Sequence, residues 1–251
     1  MNIRYPDLKD KTIIITGGLG FLAAQFIKAF EDNFSNVIII DKKKSNKKNF
    51  FNCDVTRERD VSSVFKKIKK KYKSIDVLIN NAANNYGAGS KSKDVKLENF
   101  SNKIWDADLN VGLKGSMLCT KIFGKEMNNQ KSGGNIINIS SDLGIISPDN
   151  RIYKKGHVKP VTYSVIKHGV IGLTKYTATY WSKKIRCNAI AFGGMENNQD
   201  TKFHRNVKQL IPMGRMAKKN EYNNVILFLA SESSSYINGA TIIVDGGRTI
   251  L

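Results

Sequence analysis

Thr12-Ile-Ile-Ile-Thr-Gly-Gly-Leu-Gly-Phe-Leu-Ala23 is the stretch of sequence that decides the fold. The β-branched run from Thr12 to Thr16 predicts a buried strand, and the glycines that follow predict a tight turn. A helical pattern then runs from Phe21 to Phe30. A strand that passes through a glycine turn into a helix begins a βαβ unit, which builds a parallel sheet. The stretch therefore predicts an α/β protein.

The same alternation of apolar β-branched runs and helical patterns continues along the chain. Further strands are predicted at Val37–Ile40, Asn49–Cys53, Ile75–Ile79, Asn135–Ile139, Arg186–Ala191 and Thr241–Val244, and further helices at Arg57–Tyr72, Asn99–Met127 and Tyr163–Lys183. A polar loop is predicted from Asn84 to Lys96, and no repeat or linker indicates a second domain. We therefore expect residues 1–251 to form one doubly wound Rossmann-type domain, with a parallel sheet of about seven strands and helices on both faces.

The composition is that of an ordinary globular protein with one unusual property, its charge. The chain has 251 residues, 41% of them hydrophobic, and a formal net charge of +20. Because the lysines are spread along the whole chain, we expect no nucleic-acid partner. No apolar run approaches ~20 residues and the first residues lack the apolar core of a signal peptide, which predicts a cytoplasmic protein without a membrane partner. The cysteines and histidines are too scattered to predict a disulfide framework or a metal site.

The glycine turn has the pattern of a dinucleotide-binding site. Gly18-Leu-Gly20-Phe-Leu-Ala23 fits G-x-G-x-x-G/A, directly after a predicted strand and at the start of a predicted helix. Glycines let the backbone approach a pyrophosphate, and a helix N-terminus favours the anion. Asp41 follows about twenty residues later at a strand end, where a carboxylate accepts hydrogen bonds from ribose hydroxyls and repels a 2′-phosphate. We therefore expect NAD as the cofactor, and Lys42 to Lys44 keep NADP as the less favoured alternative.

A second pattern lies in the predicted helix that begins at Tyr163. Tyr163-Ser-Val-Ile-Lys167 places a tyrosine and a lysine on the same face of a helix. A free phenol titrates near ~10, and a neighbouring cation favours the phenolate, so such a pair can exchange a proton with a bound alcohol or ketone. Taken alone, the pattern also occurs often by chance, and the alternative interpretation is that Lys167 is a surface lysine. His168 points in another direction, and we expect a packing or interface role for it.

Taken in order, these motifs resemble the short-chain dehydrogenase/reductase family in its compact subgroup. The resemblance covers essentially the whole chain and rests on Thr16-Gly-Gly-Leu-Gly20-Phe-Leu-Ala23, Asp54-Val55, Asn80-Asn-Ala-Ala83, Asn110-Val-Gly112, Ser140-Ser-Asp-Leu-Gly144, Tyr163 with Lys167, Arg186-Cys-Asn-Ala189 and Val244-Asp-Gly-Gly247. The chain departs from the family pattern at Ala23, Ala83, Phe192-Gly193, Met195 and Asn197. The last of these departures border the nicotinamide in the family, so the resemblance leaves its exact seating open.

The resemblance implies a catalytic set of Asn110, Ser141, Tyr163 and Lys167. Tyr163 would be the general acid/base, and Lys167 would lower its pKa and hold the nicotinamide ribose. Ser141 would hydrogen-bond the substrate oxygen, with Ser140 as the competing choice, and Asn110 would hold a water that links Lys167 to solvent. The implied cofactor contacts are Gly17, Gly18, Gly20, Phe21, Leu22, Asp41, Asp54, Val55, Asn81, Ala82, Ala83, Tyr163, Lys167, Gly193 and Met195.

The segment 145–160 lies between the serines and the tyrosine, and we expect it at the mouth of the site. Its basic residues are a candidate clamp for a phosphate or carboxylate, or a solvated face: Arg151, Lys154, Lys155, His157 and Lys159. Asp142 is a candidate for contact with a substrate hydroxyl or for a turn. The combination of Ser147–Tyr153, Lys159–Gly169 and the ending Val244–Thr249 also resembles the family branch associated with flagellin modification and nonulosonic (legionaminic) acid loci. That resemblance implies a sugar, sugar phosphate or nucleotide sugar substrate in surface-glycan or flagellin-glycan biosynthesis.

The sequence therefore predicts an NAD(P)-dependent oxidoreductase that interconverts a secondary alcohol and a ketone by hydride transfer. A nucleotide-sugar epimerase or dehydratase, which shares the tyrosine–lysine chemistry, and a non-catalytic NAD-binding scaffold are the alternatives. The resemblance also implies a homotetramer or homodimer. The apolar face of the helix after Tyr163, which belongs to the core or to that interface, consists of Val165, Ile166, Val170, Ile171, Leu173 and Trp181.

Overall fold

The computed structural model describes residues 4–84 and 93–251, and these contain a seven-stranded sheet. Its strands are β1 (Thr12–Thr16), β2 (Asn36–Asp41), β3 (Phe50–Asn52), β4 (Val77–Asn80), β5 (Gly134–Ser141), β6 (Ile185–Phe192) and β7 (Thr241–Val244). All pairings are parallel, in the order β3-β2-β1-β4-β5-β6-β7. The strand order changes direction between β1 and β4, since β2 and β3 lie on one side of this pair and β5, β6 and β7 on the other. The crevice beyond the carboxyl ends of the strands at such a point is where open α/β sheets bind ligands. The predicted doubly wound sheet is confirmed.

Helices cover both faces of this sheet. They are α1 (Phe21–Asp32), α2 (Glu58–Lys71), α3 (Asn102–Leu109), α4 (Gly115–Asn129), α5 (Val161–Tyr180), α6 (Thr201–Lys208) and α7 (Asn223–Ala230). Alternate residues of β1 enter opposite cores, since Ile13 and Ile15 pack with α1 and α7 while Ile14 packs with α2, α4 and α5. Each of these isoleucines is fully buried, which contributes about 1.5–3 kcal/mol apiece. Burial on both faces explains why the strand is a continuous apolar run.

The predicted long helix Asn99–Met127 is wrong in one respect, because α3 and α4 are joined by a π turn, Asn110–Lys114. In this turn the Gly115 N–H donates to the carbonyl of Asn110. The turn packs closely on α5, since a Cβ at Gly112 would lie 2.6 Å from Cγ2 of Ile166. Single π turns inside helices are frequent at functional sites. The helical spacing of apolar residues does not reveal the extra residue.

Other differences lie at element ends and in the last third of the chain. β4 begins at Val77 rather than Ile75, because the Ile75 N–H donates to the side chain of Gln130 instead of to a strand. Helices α6 and α7 were not predicted, although Asp200 accepts from the Phe203 N–H and caps α6. Of the predicted loop Asn84–Lys96, residues 85–92 lie outside the described residues. Among the helices that the structure describes, none has the length and hydropathy to span a bilayer.

Candidate active site

A cavity of about 950 Å³ follows the carboxyl ends of the central strands. Residues that come directly after β1, β2, β4, β5 and β6 line it, which is the location expected for a ligand site in this type of sheet. The glycine turn and Asp41 lie at one end, and Ser141, Tyr163 and Lys167 lie at the other. The two patterns that the sequence predicted separately therefore share one cavity.

The glycine turn is built by close packing of its backbone. Gly17 has a φ of +62°, which favours glycine, and a Cβ there would lie 2.8 Å from Cα of Ala82. A Cβ at Gly18 would lie 2.6 Å from Cγ2 of Ile39, a side chain of β2. Gly20 is the N-cap of α1 and has no side chain to accept from the first N–H groups of the helix. Those N–H groups are the donors that bind pyrophosphate in such turns.

Asp41 ties the end of β2 to the glycine turn. Its Oδ2 accepts from the Leu19 N–H at 3.1 Å, and its Oδ1 accepts from the Lys43 N–H at 3.0 Å. Lys42 and Lys43 line the same end of the cavity. The carboxylate therefore stands where the sequence predicted the ribose contact, with lysines beside it.

Asn81 joins the ends of β1 and β4 beside this turn. Its amide nitrogen donates to the carbonyls of Thr16 and Gly17 at 3.0 and 3.2 Å. The Thr16 hydroxyl in turn accepts from the backbone N–H groups of Asn81 and Ala82. Thr16 was not predicted as a site residue, although it stands directly before the glycines. These bonds tie together the carboxyl ends of β1 and β4, beyond which a dinucleotide would bind.

Asp54 and Val55 line the cavity beyond Asp41. Burial acts to raise the pKa of Asp54, but hydrogen bonds from the Thr56 hydroxyl and N–H hold it below its ordinary value. Val55 packs against the start of α4, where a Cβ at Gly115 would lie 2.8 Å from its Cγ2. The other predicted cofactor residues that line the cavity are Phe21, Leu22, Ala82, Ala83, Gly193 and Met195. Gly18 does not line the cavity, because it packs the turn against Ile39 of β2.

The two adjacent serines have different partners. The Ser140 hydroxyl donates to the backbone carbonyl of Lys167 at 2.8 Å, and Lys167 Nζ donates to the carbonyl of Ile139 at 2.7 Å. These reciprocal bonds tie the end of β5 to α5. The Ser141 hydroxyl instead donates to Asp142 at 2.7 Å and is hydrogen-bonded to Tyr163. The geometry therefore favours Ser141 over Ser140 as the serine that meets a substrate.

Tyr163 and Lys167 lie one turn apart on α5, as the sequence predicted, and burial is the largest influence on the pKa of each. The Lys167 Nζ is 5.7 Å from the centre of the Tyr163 ring. Burial raises the pKa of Tyr163 to about 12, opposed by the hydrogen bond with Ser141 and reinforced by the Asp142 carboxylate. Burial and the neighbouring Lys159 ammonium lower the pKa of Lys167 to about 8. Desolvation is the largest cause of both shifts, and Lys167 is not among the causes of the Tyr163 shift, so the predicted lowering of the tyrosine pKa by Lys167 stays a prediction.

Asn110 begins the π turn between α3 and α4. The next residue, Val111, lines the cavity, and the turn packs on α5 through Gly112 and Ile166. The structure thus places Asn110 on the element that supports the helix of Tyr163 and Lys167, and its predicted water-holding role stays a prediction.

The predicted clamp in segment 145–160 is reduced to one residue. Arg151 is 88% exposed and pairs with Asp149, and Lys154 pairs with Asp200, so neither lines the cavity. His157 is likewise absent from the lining. Lys159 does line it, with its Nζ 3.9 Å from the centre of the Tyr163 ring, and burial lowers its pKa to about 8.

The path of the segment 145–160 is set by its apolar residues, which pack against α6. Ile152 and Tyr153 are buried in a cluster with Val207, and the Tyr153 ring stacks on Phe203 at 5.8 Å. This packing directs Arg151, on the same short turn, to the surface. The pattern of charged residues along the segment does not predict which lysine lines the cavity.

Asp142 and Arg248 form a buried ion pair at the inner end of the cavity. Arg248 Nη1 donates to Asp142 Oδ2 at 2.6 Å, and both residues line the cavity. The sequence offered Asp142 as a substrate contact or a turn residue, and it begins a short helical turn next to Ser141. Arg248 was not predicted, because no local pattern links it to a position more than a hundred residues earlier. In the described part of the chain, no three His, Cys, Asp or Glu side chains are grouped to hold a metal ion.

Comparisons with known proteins point to one class of enzyme. The family model described as Enoyl-(Acyl carrier protein) reductase matches residues 31–249. The 3-oxoacyl-(acyl-carrier-protein) reductase FabG of Thermotoga maritima is 33% identical and aligns over 97% of this chain and 99% of its own length. The 2-dehydro-3-deoxy-D-gluconate 5-dehydrogenase of Escherichia coli is 32% identical over 78% of this chain and 74% of its own.

Solved structures agree with these relatives. The ligand-free aldohexose dehydrogenase of Thermoplasma acidophilum superimposes with a TM-score of 0.84 at 29% identity, covering 98% of this chain and 97% of that one. A short-chain dehydrogenase of Leptospira borgpetersenii with bound NAD+ gives a TM-score of 0.85 at 27% identity, covering 96% and 93%. The similarity therefore extends over the whole sheet and its cavity.

Proposed function

The chain belongs to the short-chain dehydrogenase/reductase family, which makes it an NAD(P)-dependent oxidoreductase acting on CH–OH groups, and we propose that its substrate is a sugar-like secondary alcohol or the matching ketone. One observation carries the proposal. The cavity joins the glycine turn and Asp41 at one end to Ser141, Tyr163 and Lys167 at the other. A dinucleotide at the first end and a hydroxyl-bearing substrate at the second would meet inside it.

The residues present fit a nicotinamide dinucleotide. The glycine turn has no room for a Cβ at Gly17 or Gly18, the N-terminus of α1 follows it, and the Asp41 carboxylate stands at the end of β2. When bound, the nicotinamide supplies the acceptor or donor for hydride. We prefer NAD, since Asp41 would repel a 2′-phosphate, and an affinity comparison with NADP tests the contribution of Lys42 and Lys43.

The catalytic roles follow from the contacts at the inner end. In alcohol oxidation the Tyr163 phenolate takes the hydroxyl proton of the substrate, and in ketone reduction the phenol returns it. The Ser141 hydroxyl, hydrogen-bonded to Tyr163, donates to the substrate oxygen as charge develops there. Lys167, held by the Ile139 carbonyl, would contact the nicotinamide ribose. Asn110 would hold the water that links Lys167 to solvent.

Three observations support a sugar-like substrate. Lys159 places a half-buried cation beside Tyr163, which suits a phosphate or carboxylate on the substrate. The names of the Escherichia coli relative and of the Thermoplasma structure refer to a sugar acid and an aldohexose. The combination of Ser147–Tyr153, Lys159–Gly169 and Val244–Thr249 also resembles the glycan-locus branch of the family. We therefore place the reaction in surface-glycan or flagellin-glycan biosynthesis, with a sugar, sugar phosphate or nucleotide sugar as substrate.

A turnover screen tests the proposal. NADH absorbance would be followed with sugars, sugar phosphates, nucleotide sugars and, as the counter-candidate named by the Thermotoga relative, a 3-oxoacyl thioester. We expect a stoichiometric change with a sugar compound and its loss in Tyr163→Phe. Turnover with the thioester alone would refute the sugar assignment. Sugar conversion without net NADH change would indicate an epimerase or dehydratase, and NAD binding without any turnover would indicate a scaffold protein.

We further propose that residues 1–251 act as one domain in a cytoplasmic homodimer or homotetramer. Apolar side chains on α4 and α5 are exposed, among them Met117, Tyr176 and Tyr180. Of the apolar face expected on α5, Ile166 and Val170 belong to the core, whereas Val165 is 37% exposed. Light scattering after size-exclusion chromatography tests the assembly, and a monomeric mass would contradict it.

A further inference from the structure

The ion pair between Asp142 and Arg248 differs from the other pairs of residues 4–84 and 93–251. Its two side chains are 4% and 7% exposed, whereas each of the other pairs contains a side chain that is at least 31% exposed. Burying two charges costs several kcal/mol per ion, so such a pair is a poor device for stability alone. Its position next to Ser141 indicates a different use.

The pair is in direct contact with the Ser141 hydroxyl through Asp142. Asp142 Oδ1 accepts from the Ser141 hydroxyl at 2.7 Å and from the Leu143 N–H at 2.8 Å, while its Oδ2 accepts from Arg248. A serine hydroxyl has only one proton to donate. Asp142 therefore competes for that proton with Tyr163 and with any substrate oxygen, and the Arg248 charge weakens the carboxylate as an acceptor.

We propose that Asp142 and Arg248 are a positioning pair that sets how strongly the Ser141 hydroxyl donates toward Tyr163 and the substrate oxygen. The inference rests on the proposed oxidoreductase function and extends it to residues outside the motif set. Neither residue needs to touch the reacting atoms, since both act through Ser141.

A tight turn in the C-terminal segment holds Arg248 in this position. The Asp245 carboxylate accepts from the Gly247 and Thr249 N–H groups at 2.9 and 2.7 Å, which closes the turn. Gly247 has a φ of +91° and packs on Pro212, where a Cβ would lie 3.0 Å from Cγ. The arginine is thus held by a turn with little freedom.

The charges around Tyr163 fix the sign of the expected effects. The groups that line the cavity with it are Ser141 and Asp142 at the end of β5, Lys159 before α5, Lys167 on α5, the phenols of Tyr153 and Tyr222, and Arg248, which is paired with Asp142. Asp142 disfavours the phenolate and Arg248 offsets it. Loss of Arg248 therefore raises the pKa of Tyr163, and loss of the Asp142 charge lowers it.

The test compares Arg248→Gln, Asp142→Asn and the double variant with the unaltered enzyme. Oxidation of propan-2-ol and of the sugar compound selected by the screen would be followed against pH with NAD. We expect the acid limb of kcat to move up by about 0.5–1 pH unit in Arg248→Gln and down by a similar amount in Asp142→Asn. We also expect kcat to fall about tenfold or more in Arg248→Gln with KM changed less than about threefold, and Arg248→Lys to recover part of the loss.

Two further measurements keep the outcomes distinct. Thermal unfolding of the double variant, which buries no unpaired charge, shows whether the site remains folded. A purely structural pair would give full kcat in the double variant and unshifted limbs in both single variants, and that result overturns the proposal. Phenolate absorbance, taken as the difference from the same variant carrying Tyr163→Phe, reports the Tyr163 titration without turnover. A lower titration in Asp142→Asn supports the pair even where no sugar is oxidised, a result that would count against the proposed function alone.

Discussion

Replacing Ser140 and Ser141 by alanine, one at a time, separates two adjacent hydroxyls that the sequence alone leaves as alternatives. Ser140 donates to the Lys167 carbonyl inside the protein, and it is 3% exposed. Its loss removes one buried neutral hydrogen bond, worth about 1 kcal/mol. For a chain of this size that corresponds to a fall in Tm of about 2–4 °C.

Ser141→Ala also removes hydrogen bonds, those with Asp142 and the Leu143 N–H, so a similar fall in Tm is expected. Its effect on the reaction is different, since Ser141 is the donor toward the oxygen on which charge develops. Loss of one such donor lowers kcat by about 10²–10³, or about 2.7–4 kcal/mol. Ser140→Ala should leave kcat within about threefold, because only the support of α5 is weakened.

The assay is kcat from NADH absorbance together with thermal unfolding of each variant. Ser147→Ala, in the exposed part of the segment before Tyr163, is the matched control and should change neither quantity. A large loss of kcat in Ser140→Ala with little loss in Ser141→Ala would refute the assignment. Equal losses in both would show that the end of β5, rather than one hydroxyl, carries the effect.

Asp41→Ala should weaken NAD binding about tenfold and reduce the preference over NADP, measured by calorimetry, and an unchanged preference would contradict the role of the carboxylate. Gly18→Ala should lower both Tm and NAD affinity, because a Cβ would lie 2.6 Å from a side chain of β2, whereas Gly172→Ala, with nothing within 4 Å, should leave Tm unchanged or higher. Lys159→Met removes a cation that favours the Tyr163 phenolate, so the acid limb of alcohol oxidation should move to higher pH. The shift is expected below about pH 8, where Lys159 carries its charge. An unshifted acid limb in this range would contradict an electrostatic effect of Lys159 on Tyr163.

The sequence was sufficient wherever structure follows from local spacing. β1 and β7 have the predicted bounds, and Tyr163 and Lys167 share a helix face because positions four apart always do. The alternation of apolar β-branched runs with helical patterns was enough to predict the parallel sheet. These features depend on periodicity and on short-range turn chemistry.

The remaining features depend on contacts between distant parts of the chain. Lys159 lies in the cavity and Arg151 does not, because Ile152 and Tyr153 pack against α6. Arg248 reaches Asp142 only because the last turn folds against Pro212. The π turn at Asn110 is one extra residue in a continuous helical pattern. No local pattern encodes such pairings, and the pKa of Tyr163 depends on them through burial.

The reciprocal bonds between the end of β5 and Lys167 have a consequence for how the enzyme can change. Ile139, Ser140 and Lys167 are clamped to one another by two short hydrogen bonds, so the chemical half of the cavity behaves as a rigid unit. Another part of the cavity wall, formed by Ile152, Tyr153 and residues of α6, is held by apolar packing that tolerates substitution more easily. Evolution or directed mutagenesis can therefore exchange substrates at that wall while the acid/base apparatus stays in place.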